Sequence, residues 1–320
     1  MKTYKVSFRC VSRLNKIPDA QTIFGTICNS LKLYSGEKAF KDYLNSFENS
    51  PLLIHSSMFP VGLYPAMKTP LITNELISRY ILNLDGKKQV EKFSELKTYK
   101  NLKYISEKIF STYISNGKIE LLKTDLINST NNFILQDDIL KMRNETITLK
   151  YKDVLSTRIK HFSNTDGIDS ELYYDHDIFF ENGQEFVIYV KSNENKDYLE
   201  IIFDKFDHLP LGNRSSSGKN MFEFIKVEEI NFSTNSLKKL LLSKCTPTEN
   251  DFLFEESEYS VESQNYVSAK SFGNKYLGVM TKLIEGSHMK VKENKEYYGR
   301  LIPMIVDDRV IYHYGIGFVL

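Results

Sequence analysis

Tryptophan is absent from this 320-residue chain, and cysteine nearly so: Cys10, Cys28 and Cys245 are its only three. They form no CxxC pair and no other ligand spacing, which argues against a disulfide framework and a structural zinc. No apolar run approaches the roughly 18 residues of a membrane span. The N-terminal MKTYKVSFRC alternates polar and apolar residues where a signal peptide would carry an apolar core. An excess of one charge is lacking too: 42 basic residues face 41 acidic ones, a formal net charge of +1. The chain is therefore no generally basic nucleic-acid glue. The expectation is a cytoplasmic globular protein without membrane contact. The missing tryptophan, beside plentiful Asn, Ile, Lys and Tyr, marks genome composition rather than function.

A nucleotide-triphosphate loop is also lacking, although residues 212–220, GNRSSSGKN, resemble one at first. A Walker A loop has four residues between its first glycine and its Gly-Lys, then Ser or Thr for magnesium. Five residues separate Gly212 from Gly218, and Asn220 stands where the hydroxyl belongs. The loop also leads from a helix pattern to a strand pattern, the reverse of a Walker or Rossmann loop. What remains is a run of small residues whose backbone N–H groups can converge on an anion, with Arg214 and Lys219 at its ends.

Period-2 alternation of Tyr4, Val6, Phe8 and Cys10 predicts a strand with one covered face. A helix opens at Asp19, with Ala20, Ile23, Phe24, Ile27 and Leu31 at helical spacing and Asp19 as its N-cap. A second short helix is expected over 37–47, then a strand within 51–65 that leaves through prolines. Residues 72–145 read as a mostly helical insertion, including DDILKM. Strand character returns at ETITLKYKD, and Asn182-Gly183 between two aromatic, β-branched runs signals a hairpin. DYLEIIFDKFDHL reads as a helix and MFEFIKVEEI as a strand. Residues 233–320 carry several strand patterns, a turn at Asp307-Asp308, and a second glycine loop in the terminal HYGIGF.

A strand, a capped helix, a hairpin, a helix, a glycine loop and a last strand make the βαββαβ ferredoxin-like, or RRM-like, unit. The expected fold is α+β, with two such units. The first spans 1–232, with the helical insertion at about 72–145 and a thumb-like β-hairpin region at about 150–180; the second spans 233–320. PDAQTIFG, MFPVGLYPAMKTP, STRIKH…ELYYD, GNRSSSGKNMFEF and YYGRLIPM…HYGIGF follow one another in the order found in the RAMP proteins of CRISPR-Cas systems. Within that family the chain resembles the Cas5-like group, in particular the fourth subunit of the type III-A (Csm) effector complex. The resemblance implies a non-catalytic RNA-binding protein that grips the 5′ repeat-derived tag of the CRISPR RNA. The implied partners are that RNA, the large polymerase-like subunit, the backbone subunit, and target RNA near the tag boundary. No cofactor and no metal are implied.

The candidate RNA contacts follow from this reading. In the glycine loop they are Gly212, Arg214, Ser215, Ser216, Ser217, Gly218 and Lys219, with a solvated turn as the competing explanation. Among Arg9, Arg13 and Lys16, Arg13 is preferred because it stands in a loop rather than in the strand ladder. Arg158 and Lys160 precede a polar tip and two tyrosines, Tyr173 and Tyr174, a pattern that can hold phosphates and meet bases. Tyr314 and Gly315 belong to the terminal loop, where RNA contact and simple close packing compete. Asp175, His176 and Asp177 alternate along a strand, so the carboxylates point away from the imidazole and make a poor metal site. Two other readings stand beside this one: an endoribonuclease cutting CRISPR repeats, and a protein-interaction subunit whose loops touch no RNA. The first lacks the expected histidine near the first helix, since His55 is the first in the chain.

Overall fold

The computed structural model describes residues 1–68, 71, 73–82, 84–128, 132–164, 167–212, 218–232, 236–267, 276–306 and 309–320. The first strand, β1 (Lys2–Cys10), buries Tyr4, Val6 and Phe8 as its alternation requires. In α1 (Ala20–Ser30) the Asp19 side chain accepts from Thr22 N at 2.9 Å and from the Thr22 hydroxyl at 2.7 Å. That is the N-cap the sequence predicts. A π turn, Leu31–Ser35, leads into α2 (Gly36–Ser46). Then come β2 (Leu53–Pro60) and β3 (Leu63–Pro65).

The stretch expected to be helical is mixed. It contains α3 (Asn74–Tyr80), α4 (Gly86–Thr98), β4 (Tyr104–Ser106), α5 (Glu107–Ile109) and α6 (Ile119–Asn128). It also contains β5 (Phe133–Gln136) and β6 (Ile139–Met142), which complete a four-stranded sheet in the order β3-β4-β6-β5. DDILKM is thus a turn and a strand, not a helix. Asp137 and Asp138 both take left-handed angles (φ 53 and 62), the requirement of a tight hairpin turn, and Gln136 pairs with Ile139 across it.

Beyond the insertion, β7 (Tyr151–Asn164) and β8 (Gly167–Phe180) pair over fourteen residues each, a hairpin about 45 Å long. Strand character begins at Tyr151, later than ETITLKYKD suggests. The Asn182-Gly183 turn forms, with Gly183 at φ 84 and Gln184 N donating to Glu181 O. It does not close a hairpin. It links β8 to β9 (Glu185–Ser192), and β9 pairs with β1 and β2 in another sheet. The alternation on both sides of the Asn-Gly pair is real, but each strand finds its partner elsewhere.

After α7 (Lys196–Asp204) and a 3₁₀ turn, Lys205–His208, comes β10 (Phe222–Ile230). The main sheet has the order β10-β1-β9-β2 with every pair antiparallel. With α1 after its first strand and α7 before its last, this is the βαββαβ strand order. Phe203 and Phe206 pack on Phe8 from one side, at ring distances of 6.1 and 5.7 Å. On the other side Tyr189 bonds its hydroxyl to that of Tyr64, which stacks on Phe110 at 4.1 Å. Tyr64 of β3 and Phe110 of the insertion thus cover the β9 part of the sheet face that an RRM leaves open to RNA, while the side chains of Lys226 and Glu228 of β10 stay exposed on it.

The second half holds β11 (Lys238–Leu240), β12 (Val261–Val267), β13 (Tyr276–Leu283), β14 (His288–Lys290), β15 (Tyr298–Val306) and β16 (Arg309–Gly317). They pair as β11·β14, β12·β13 and β15·β16. Among its described residues this half has no α-helix, only the 3₁₀ turn Phe254–Glu256, and so lacks the two helices of a βαββαβ unit. Asp307-Asp308, expected as a turn, lies outside the described residues. HYGIGF is not a loop: His313 to Gly317 form the buried end of β16. Its glycines serve close packing, since a Cβ on Gly315 would lie 2.6 Å from Arg300 O and one on Gly317 2.8 Å from Cys245 Sγ. Tyr314 stacks on His55 at 4.5 Å and packs on Phe24 at 5.2 Å, joining the second half to the core around α1. No described helix is long and apolar enough to cross a membrane.

Candidate nucleic-acid interface

Three segments far apart in sequence meet at the root of the β7–β8 hairpin. Leu14 exchanges backbone hydrogen bonds with Ile178 of β8, N to O at 2.9 and 2.7 Å. Asn220 N donates to Arg13 O at 3.0 Å, and Asn15 N donates to Asn220 Oδ1 at 3.0 Å. Met221 N donates to Ser12 Oγ at 2.9 Å, and Leu211 N to Asn220 O at 2.9 Å. Asn220 stands at φ 60, a left-handed angle that asparagine tolerates better than most residues. The loop after β1 and the end of the glycine loop are thus zipped together.

The side chains at this junction form a charged cluster. Alternation along β8 turns Asp175 and Asp177 inward, 4% and 1% exposed, while His176 lies on the other face, 3.6 Å from Asp153. Lys219, fully buried, donates to Asp175 Oδ2 at 2.6 Å and pairs with Asp177. Arg158 pairs through Nε with Asp175 at 3.0 Å and through Nη2 with Asp177 at 3.5 Å. Arg13 reaches Asp177 at 3.7 Å. Among the described residues three cations thus share two carboxylates, a formal excess of one positive charge. Lys219 is enclosed, whereas the side chains of Arg13 and Arg158 are 32% and 35% exposed. The excess therefore faces solvent through two guanidinium forks, groups suited to phosphate oxygens.

The far face of the same hairpin carries exposed apolar side chains beside His176 and Asp153. Leu155, Ile159, Leu172 and Tyr174 share it by register and are 66%, 57%, 68% and 71% exposed. One hairpin thus presents a guanidinium group on one face and exposed aliphatic and aromatic side chains on the other, its blade.

The expected contacts divide accordingly. Arg13 and Arg158 are brought together. Lys219 belongs to the cluster but faces inward, so direct phosphate contact by its ammonium is withdrawn: its charge is already taken by two carboxylates. Tyr314 and Gly315 are withdrawn as well, being buried in β16. Lys160 is in β7, in register with Glu171, and its side chain lies outside the described residues. Gly212 and Gly218 take left-handed angles, φ 109 and 67, and Gly218 is exposed. Arg214, Ser215, Ser216 and Ser217 lie outside the described residues. Arg9 and Lys16 form surface ion pairs with Glu223 and Asp19 at 3.0 and 2.9 Å. The reading of the sequence missed Asp175 and Asp177 as organisers. The signal was there: two acids on the inward positions of an aromatic strand need cations to bury against.

No family model matches the chain, and no curated protein does. Solved structures do. One match is in the crystal structure of a Csm3–Csm4 subcomplex of the type III-A CRISPR-Cas interference complex. It has a TM-score of 0.58 at 17% identity, over 100% of this chain and 99% of that one. Others are in Csm1–Csm4 cassettes, one in complex with AMPPNP (TM-score 0.55, 19% identity) and one in complex with pppApA (TM-score 0.54, 18% identity). Each of these covers 100% of this chain and 97% of the other. At such identities the likeness speaks to architecture, and the chain has the fold of the Csm4 subunits in those type III-A complexes.

Proposed function

We propose that this chain is a subunit of a type III-A CRISPR RNA-guided effector complex in antiviral defence. It binds the 5′ repeat-derived tag of the CRISPR RNA and docks on the large polymerase-like subunit, beside the backbone subunit. The observation that carries the RNA contact is the hairpin root, where three cations face two buried carboxylates and two arginines are half open to solvent. Asp175 and Asp177 orient Arg13 and Arg158, and a phosphodiester supplies the negative charge the cluster lacks. The exposed blade, with Tyr174 at its centre, meets bases at the boundary between tag and target RNA by stacking. The protein partners are those of the structures it resembles, which hold Csm1 and Csm3.

The role is non-catalytic. Burial holds His55 and His288 near pKa 4, so neither is a proton donor near neutral pH. The test is binding of labelled 5′-tag RNA by the purified chain, alone and with the large subunit. Binding with a linear log-log salt dependence is expected, and intact RNA afterwards. No binding in either setting overturns the RNA reading, and site-specific cleavage by the chain alone overturns the non-catalytic one.

A further inference from the structure

Away from the hairpin root, the second half contains a buried lysine that, among the described residues, forms no direct ion pair. Lys282, on β13, is 2% exposed, and its ammonium donates to Tyr314 O at 2.6 Å. Among the described residues no carboxylate lies within ion-pairing distance of it. Asp19 and Glu285 act on it only through space, their direct contacts being Lys16 and Thr22 for Asp19 and the Ser57 hydroxyl, at 2.6 Å, for Glu285; Glu262 pairs with Lys244. Beside Lys282 stands His313, 5% exposed, whose Nε2 has no hydrogen-bond partner. Its ring meets that of Tyr266 edge-on at 4.2 Å, and the same tyrosine lies 5.8 Å from the lysine ammonium. Buried ammonium groups ordinarily have a counter-ion and buried imidazoles a hydrogen-bond partner, so an ammonium held by one carbonyl beside an imidazole with an open Nε2 marks a site completed by something else.

We propose that Lys282 and His313, roofed by the half-buried Tyr266 and Lys244, form a subsite for the phosphate group of a single-stranded RNA nucleotide. This rests on the RNA-binding reading. The missing partner of an ammonium is an anion. The site also adjoins the track already described, because Gln21, at the start of α1, accepts from Tyr314 N at 2.6 Å. The loop from Arg13 to Asp19 runs from the hairpin root to this helix start, so a strand held by Arg13 continues toward Lys16, Lys244 and Lys282. Binding moves Tyr266 aside and exchanges the lone carbonyl contact of Lys282 for a charge-assisted one.

The test uses the full chain and Lys282→Met, with Arg158→Gln in parallel. Removing an unpaired buried charge while keeping the side-chain length is expected to raise the melting temperature of Lys282→Met. The same variant is expected to bind 5′-tag RNA roughly tenfold more weakly, with a salt slope smaller by about 0.7. Inorganic phosphate is the second probe: it is expected to raise the melting temperature of the parent chain more than that of Lys282→Met, which keeps only the hairpin-root site. A lowered melting temperature with unchanged RNA affinity makes Lys282 a structural residue and overturns the subsite. Equal phosphate shifts in the two proteins overturn it too. If the parent chain binds no RNA while Arg158→Gln behaves like it, the RNA reading fails and the phosphate arm alone decides the subsite.

Discussion

Removing Asp177 should damage the protein more than removing the lysine it holds. The parent cluster has three cations and two carboxylates; Asp177→Asn leaves three against one, whereas Lys219→Met leaves two against two. Asp177 is 1% exposed and touches Lys219, Arg158 and Arg13, so its loss strands an enclosed ammonium and part of two guanidinium charges. Breaking a buried pair by deleting one partner costs about 3–5 kcal/mol. Lys219→Met removes one buried charge but keeps the Arg158–Asp175 and Arg13–Asp177 pairs, and replaces the lysine stem with a side chain of similar volume. A cost of about 1–2 kcal/mol is expected there, from the hydrogen bond to Asp175. The double variant should be less damaged than the sum, with a coupling of about 1–3 kcal/mol. Urea unfolding of the four proteins, followed by circular dichroism, measures all three quantities. An Asp177→Asn cost below that of Lys219→Met refutes the charge count, because electrostatic imbalance would then not govern the cluster.

Tyr174→Ala, on the exposed blade, should leave stability within about 0.5 kcal/mol of the parent. It should weaken RNA binding by about 1–3 kcal/mol, read by fluorescence anisotropy. Gly286 stands at φ 86 with a virtual Cβ 2.1 Å from Ala66 O, so Gly286→Ala should sharply lower the melting temperature, whereas Gly36→Ala, equally strained but with open space, should cost only about 1–3 kcal/mol. Acid should unfold the chain in two stages. Burial holds His55 and His288 near 4, below the unfolded value of about 6.5. Their neutral forms therefore stabilise the fold above pH 6.5, and each loses about 1.4 kcal/mol per pH unit from there down to about 4. Asp19 follows: burial pushes it up, but Lys16 and the Thr22 donors outweigh burial and hold it at about 2. Its contribution is complete above the unfolded value of about 4 and is lost as pH falls toward 2. A urea series from pH 7.5 to 3 checks both stages, and stability that is flat from pH 6.5 to 4.5 contradicts the first.

Local chemistry made much of the first half legible. The alternation of β1, the Asp19 cap, the apolar stripe of α7 and the pattern of β10 each depend on neighbours within a few residues. Partner choice was harder to read. Asn182-Gly183 announces a turn, but the partners of β9 are β1 and β2, more than a hundred residues away in sequence. DDILKM has helical composition, yet two left-handed aspartates and a facing FILQ make it half of a hairpin. HYGIGF looked like a loop because glycines punctuate it; they are there to let backbone and Cys245 come close. At the candidate site the cations were legible as residue types in suggestive places. Which of them face solvent was not, because that depends on two acids contributed by a different strand.

The claim at the centre is that the half-exposed arginines of the hairpin root hold an RNA phosphate. A salt titration of 5′-tag RNA binding by the full chain, with Arg158→Gln and Arg13→Gln beside the parent, tests it directly. Each variant leaves two cations on two carboxylates, so the fold is retained while the surplus charge disappears. The predicted result is weaker binding in each variant, with a log-log slope smaller by about 0.7. Affinities and slopes equal to those of the parent, in variants shown to be folded, would contradict it.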